Sequence, residues 1–155
     1  FVMSEVYLGN PNLKKANTSI EFTQEQILEF IKCKEDPVYF ANNYIKIVSL
    51  DEGLTQFHPY HFQEKLINNF HENRFNICKM PRQTGKSTTV VSYLLHYAVF
   101  NDSVNIGILA NKAATARELL QRLQTAYENL PKWMQQGILS WNKGSMTLKL
   151  DTRTH

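Results

Sequence analysis

The feature that most constrains this chain is a glycine-containing loop at residues 80–87, between an apolar run and a helical pattern. Residues 75–79 predict a short strand, and residues 86–100 predict a largely apolar helix. A loop in this position lies beside the unpaired N–H groups of a helix N-terminus and the positive end of the helix dipole. A strand, a loop and a helix in this order therefore predict a phosphate site.

The residue types within the loop suit this chemistry. Gly85 lets the backbone approach phosphate oxygens closely, Lys86 can reach the β- and γ-phosphates, and the Ser87 hydroxyl can ligate Mg²⁺. Arg82 could stabilise charge that develops during phosphoryl transfer, or it could be a solvated or salt-bridged loop arginine. The usual pattern has glycine at the position of Met80, and this chain lacks it.

The elements on either side of the loop predict the fold class. A second buried strand is expected at 104–110 and a long amphipathic helix at 112–129. This alternation predicts an α/β fold, with a parallel central sheet flanked by helices and joined by right-handed crossovers. Helical patterns at 23–43 and 59–71 predict a helical N-terminal lead-in, and residues 138–150 predict a β-hairpin.

Local signals predict where the elements ahead of the loop begin. Thr23 with Gln26 three residues later is typical of a capping box, which predicts a helix start. Asp36 followed by Pro37 is typical of a second helix start, since aspartate caps and proline suits the first turn. The apolar, β-branched segment 44–50 predicts a strand.

Composition narrows the class of protein. The chain has 155 residues, 43% of them hydrophobic and 20% charged, which fits one globular domain. A net charge of +3 permits a polyanionic partner without predicting one. Cys33 and Cys78 are too far apart in sequence to indicate a disulfide framework or a zinc site. No apolar run approaches the roughly 20 residues that span a bilayer, so no membrane association is expected.

The chain is expected to be a piece of a longer protein. It opens on Phe1 and closes on His155 without a clear stop signal for a helix or strand. Residues 1–22 lack periodicity and predict a flexible N-terminal arm. Residues 23–155 predict a partial domain.

The loop belongs to a set of sequence blocks that resembles a known family. Residues 81–88, Pro-Arg-Gln-Thr-Gly-Lys-Ser-Thr, resemble the deviant phosphate loop of large terminase subunits, the DNA-packaging ATPases of tailed bacteriophages. The likeness is greatest to those of contractile-tailed phages. The other resembling blocks, in the same order as in the family, are residues 35–40, 57–66, 107–110 and 141–145.

The resemblance implies a P-loop NTPase, here truncated, that binds ATP and Mg²⁺. It implies catalytic roles for Arg82 and Lys86 and metal ligation by Ser87. It also implies that the following loop residues bind the nucleotide: Pro81, Arg82, Gln83, Thr84, Gly85, Lys86, Ser87 and Thr88.

The family also has an adenine-contacting segment, an aromatic residue followed by glutamine, which matches Phe62 and Gln63. Gln63 could read the adenine edge with its amide donor and acceptor. Phe62 or Tyr60 could pack on the adenine ring, or Phe62 could simply belong to the apolar face of its helix. The family's acidic motif is an apolar strand that ends in Asp-Glu, and none follows the loop. Asp151 is interpreted as a turn residue, so this motif and the nuclease domain are expected beyond the end of this sequence.

For the intact protein the resemblance implies hydrolysis of ATP to move double-stranded DNA into a procapsid in the host cell cytoplasm. The implied partners are the portal protein, the small terminase subunit and further copies of the chain in a homo-oligomeric ring. The isolated fragment is expected to be inactive. Two alternatives stay open: another P-loop nucleic-acid translocase or helicase-like ATPase, and a nucleotide-binding module without turnover.

Overall fold

The computed structural model describes residues 6–49 and 51–149, which form five helices and three two-stranded antiparallel sheets. The sheets pair β1 with β2, β3 with β4 and β5 with β6. In chain order the elements are β1 (Val6–Tyr7), β2 (Asn10–Lys14), α1 (Gln24–Glu35), α2 (Pro37–Tyr44), β3 (Lys46–Ser49), β4 (Gly53–Gln56), α3 (His61–Glu72), α4 (Lys86–Phe100), α5 (Ala113–Glu128), β5 (Gly137–Trp141) and β6 (Met146–Lys149).

The predicted caps of the first two helices are confirmed. Thr23 is the N-cap of α1, where its hydroxyl accepts from the Gln26 N–H and the Gln26 side chain accepts from the Thr23 N–H. The Asp36 carboxylate accepts from two backbone N–H groups in the first turn of α2, and Pro37 is the first helical residue. Each cap satisfies N–H groups that have no partner within the helix, which fixes the helix start.

The apolar helix α4 is at the centre of the molecule and packs against α2, α3 and α5. Leu95 and Val99 on this helix are fully buried, and the ring of Phe100 meets the ring of Phe40 from α2 edge to face. Burying a large apolar side chain contributes about 1.5–3 kcal/mol. This packing therefore fixes the position of α4, the helix whose N-terminus follows the loop.

His96 is the polar member of this core. It is 2% exposed, and its Nε2 lies 2.8 Å from the Cys33 carbonyl oxygen. The rings of Phe40 and Phe100 pack around it. Burial lowers the His96 pKa to about 4, because this apolar surrounding disfavours the charged imidazolium.

The N-terminal strands are joined to the other end of the described chain. The Gln135 amide donates to the Asn12 carbonyl at 2.8 Å and accepts from the Lys14 N–H at 3.1 Å. The same amide donates to the carbonyls of Tyr127 and Leu130. The predicted arm, residues 1–22, thus includes β2, and its residues 1–5 lie outside the described residues.

The predicted β-hairpin near residue 140 is confirmed for its described part. The Asn142 side chain accepts from the backbone N–H groups of Gly144 and Ser145, which closes the turn between β5 and β6. The predictions for residue 150 and for Asp151 fall outside the described residues.

The predicted parallel central sheet, and with it the P-loop NTPase fold class, is wrong for the described residues. Residues 75–79 and 104–110 were expected to be strands of that sheet, but neither segment forms a strand. Among the described residues no backbone hydrogen bond joins either segment to a neighbour. Ile77 is fully exposed and Leu109 is 93% exposed. Apolar, β-branched sequence gives a strand only where another strand can complete its hydrogen bonds.

Within the described ranges, no helix is both long and apolar enough to cross a membrane.

The two cysteines are in opposite environments, which predicts a large difference in reactivity. Cys33 is fully buried, and burial raises the pKa of its thiol to about 12, whereas Cys78 is exposed. At pH 8 only about one Cys33 thiol in ten thousand would be ionised. We expect a thiol reagent to label one cysteine per native chain and the second only after unfolding, as measured by intact mass. Cys78→Ser should remove the native labelling, and fast labelling of that variant would contradict the prediction.

Candidate phosphate-binding site

The predicted phosphate loop leads directly into the N-terminus of α4. Gly85 is the N-cap of this helix and has a left-handed backbone, with φ of 72°. Gln83, two residues earlier, is also left-handed, with φ of 60°. Left-handed residues in a loop turn successive N–H groups towards a common centre, which is an arrangement that suits anions. Glycine is the residue that adopts this conformation at least cost.

Lys86 folds back across the loop. Its Nζ donates to the carbonyl oxygen of Met80 at 2.9 Å, six residues earlier. Because this carbonyl is neutral, it does not neutralise the ammonium charge. The cation is thus held within the loop, close to the first N–H groups of α4, where it can attract a phosphate.

Three threonines lie in and just after the loop. The Thr84 hydroxyl donates to the Pro81 carbonyl at 3.0 Å, which closes the middle of the loop. The Thr89 hydroxyl and N–H both bond to the Gly85 carbonyl, which fixes the first turn of α4. Thr88 is half-buried and lines a cavity beside the loop. These hydrogen bonds stabilise the turn that the loop forms.

Ser87 and Arg82 both lie at the surface of the site. Ser87 is the second residue of α4, directly after Lys86. Arg82 forms no ion pair with any carboxylate among the described residues. Both side chains are accessible to a ligand bound at the loop.

A cavity of about 370 Å³ adjoins the loop at Gly85 and Thr88. Its other walls come from the β3–β4 hairpin and from the segment that leads into α3. The lining residues from these walls are Ile47, Glu52, Thr55, Gln56, Phe57, His58, Tyr60 and Gln63. The cavity is open to solvent, and its volume lies at the lower end of the range of small-ligand sites.

The two aromatic residues predicted to contact a base form a stacked pair at this cavity. The rings of Tyr60 and Phe62 are 5.9 Å apart at an angle of 9°. Tyr60 lines the cavity, and Phe62 stacks on it from outside the cavity lining. The rings are 72% and 45% exposed, respectively.

Gln63 is buried between α3 and the loop, with 3% of its surface exposed. Its Oε1 accepts from the Tyr60 N–H at 2.9 Å, and its Nε2 donates to the Thr84 carbonyl at 3.4 Å. The residue thus connects the start of α3 to the phosphate loop.

The β3–β4 hairpin is a cavity wall that the sequence did not indicate. The Asp51-Glu52-Gly53 segment predicts a turn, but nothing predicts that the strand after it, β4, lies beside the loop. The Gln56 side chain positions the hairpin by donating to the Ile45 carbonyl at 2.8 Å and the Asn42 carbonyl at 2.9 Å. The one sequence signal for this position of the hairpin was Gln56, a polar residue at the end of a short strand.

A larger cavity, of about 640 Å³, lies at the other end of α4. It is lined by residues 101–106, by α5 and by β6, and shares no residue with the loop. In the described part of the chain, no three His, Cys, Asp or Glu side chains are grouped closely enough to hold a metal ion.

No protein-family model matches this chain.

Proposed function

We propose that this chain binds the triphosphate of ATP at residues 80–87. The observation that carries the proposal is the combination of a left-handed Gly85 at the start of a 15-residue helix with the Lys86 ammonium held across the loop. The helix start supplies N–H groups and a favourable dipole, and Lys86 supplies a full positive charge. A polyphosphate is the ligand whose charge and shape match this set.

Each loop residue has a proposed role that its position supports. Lys86 would bind the β- and γ-phosphates after leaving the Met80 carbonyl, which exchanges a hydrogen bond to a neutral oxygen for stronger ones to charged phosphate oxygens. Arg82, exposed on the same loop, would stabilise charge on the γ-phosphate. The backbone N–H groups of the loop and of the first turn of α4 would bind the remaining oxygens.

The adjoining cavity is the proposed site of the adenine base. Its walls are continuous with the loop through Gly85 and Thr88, so a nucleotide could occupy both. Tyr60 offers an exposed ring at the cavity, and Phe62 supports that ring by stacking. Base–aromatic stacking contributes about 1–3 kcal/mol per base.

Ser87 suits a magnesium ion that accompanies the triphosphate. Its hydroxyl is a hard oxygen ligand on the residue after Lys86, and it is exposed. Mg²⁺ keeps several water ligands and takes few from the protein, so one hydroxyl fits its needs. When bound, Mg²⁺ would neutralise phosphate charge. No apolar strand that ends in Asp-Glu follows the loop, which favours binding without turnover by the chain as given.

For the longer protein we propose the role of a large terminase subunit. The sequence blocks that resemble this family support it. The most specific features are Arg82 and the presence of Met80 where the usual phosphate-loop pattern has glycine. The partners would be double-stranded DNA, a portal protein and a small terminase subunit, with further copies in a ring at the procapsid in the host cytoplasm.

Calorimetry with ATP, in the presence of Mg²⁺ or of EDTA, tests the proposal. We expect the chain to bind MgATP and to release no phosphate in a parallel assay. Ser87→Ala should weaken MgATP binding about tenfold while leaving metal-free ATP binding nearly unchanged, because one metal ligand is lost. Ser19→Ala, which removes an exposed hydroxyl outside the loop, is the control. Absence of ATP binding by the unaltered chain would overturn the proposal.

A further inference from the structure

We propose that Gln63 is a positioning residue of the phosphate loop, acting on the loop whatever base the ligand carries. This inference rests on the proposed function, since it concerns how the same loop is held for a triphosphate. Its basis is that both ends of the Gln63 amide are bonded to backbone, one end within α3 and the other within the loop.

The Gln63 amide fixes the orientation of the peptide that joins Thr84 to Gly85. In a trans peptide the C=O and the N–H point in opposite directions. Because Nε2 donates to the Thr84 carbonyl, that carbonyl points towards α3 and the Gly85 N–H points away from it. One of the N–H groups available to an anion is therefore oriented by a side chain from another helix.

The same amide fills the space beside Gly85. A methyl group at this position would overlap the Gln63 Nε2 atom, so the side chain would have to shift. The left-handed backbone of Gly85 is thus accompanied by a close approach of the Gln63 amide.

Burial limits what else the Gln63 amide can bind. Oε1 is bonded to the Tyr60 N–H and Nε2 to the Thr84 carbonyl, which leaves the amide one lone pair and one N–H. With 3% of the residue exposed, these remaining groups have little access to a ligand. A role in holding the loop uses only the two bonds that are already formed.

A ligand without a base separates the two roles. We would measure binding of MgATP and of inorganic tripolyphosphate with Mg²⁺ to the unaltered chain and to Gln63→Ala. A positioning residue predicts that both ligands weaken by the same factor, roughly threefold to tenfold. A residue that reads the base predicts that only MgATP weakens, and that result would overturn the inference.

Gln26→Ala is the matched control. Gln26 occupies the same position in α1, where its side chain accepts from the Thr23 N–H, but it does not contact the loop. Gln26→Ala should lower the unfolding temperature without changing affinity for either ligand. Equal loss of affinity in both variants would contradict the inference, since general destabilisation would then explain it.

Gln63→Met keeps the experiment decisive if Gln63→Ala does not fold. The methionine side chain is uncharged and similar in size but lacks the donor to the Thr84 carbonyl, so both ligands should again weaken equally. Undiminished tripolyphosphate binding by this variant would overturn the inference. If the unaltered chain binds neither ligand, the proposed function itself fails and the inference falls with it.

Discussion

Replacing Lys86 by alanine is expected to weaken ATP binding at least about hundredfold, equivalent to about 2.7 kcal/mol. Each hydrogen bond to a charged group contributes about 1.5–3 kcal/mol, and the ammonium would bond to more than one phosphate oxygen. Among the described residues Nζ bonds only to the Met80 carbonyl, so its removal costs one hydrogen bond and the fold should persist. Calorimetry with MgATP measures the loss.

Lys79→Ala is the control for this prediction. Lys79 is exposed and immediately precedes Met80, so its removal changes the local charge by the same amount. We expect this variant to bind MgATP within about threefold of the unaltered chain, because long-range charge effects are screened by salt. If Lys86→Ala bound MgATP as tightly as Lys79→Ala did, Lys86 would not contact the phosphates.

The second large effect is a loss of stability in mild acid that originates at His96. Burial lowers its pKa from the ordinary 6.5 to about 4. The neighbouring His71 contributes to this lowering, whereas Asp36 and the carbonyls of Cys33 and Lys34 act in the opposite direction. Between these pH values the unfolded chain binds a proton that the folded chain does not. The free energy of unfolding should therefore fall as pH falls from 6.5 to 4, by up to about 3 kcal/mol.

Urea unfolding at pH 7, 5.5 and 4.5 measures this loss. His96→Gln removes the titration but retains an amide that can donate to the Cys33 carbonyl, so its stability should depend less steeply on pH. His58→Gln is the control, since His58 is exposed and is not among the groups that shift the His96 pKa. All three proteins have the same carboxylates, so the comparison between them isolates the effect of the histidine that is replaced. An unchanged pH dependence in His96→Gln would contradict the prediction.

The sequence predicted the helices well because their signals are local. The oxygen acceptors at Thr23 and Asp36 bond within three residues, so no distant segment decides whether those helices begin. The turn at Asn142 is equally local. Helix α4 was predicted from its apolar composition, and α5 from helical spacing.

Strands cannot be predicted from local signals in this way, because their hydrogen bonds are made with other segments. Residues 75–79 have the composition of a buried strand, yet Phe75 is 83% exposed and Ile77 fully so. Residues 104–110 are similar. The composition of a segment reports how well it would pack in a sheet, but it cannot supply the neighbouring strand that a sheet requires.

Only part of the candidate site could be predicted, because some of its residues come from distant segments of the chain. The loop residues from Pro81 to Thr88 are contiguous, so one segment of sequence identifies them. The hairpin wall at β4 is nearly 30 residues earlier in the chain, and its proximity depends on Gln56 and on packing. The bond from Gln63 to the Thr84 carbonyl likewise joins residues 21 apart and could not be read from either segment alone.

The bond between Gln135 and β2 has a consequence for how this protein is made. After Lys14 is synthesised, 121 further residues must be added before Gln135 exists. At roughly 5–20 residues per second, β2 waits on the order of 10 s for the amide that satisfies its backbone. The strand is thus made well before the residue that holds it, and a chaperone acting during synthesis would meet it without that partner.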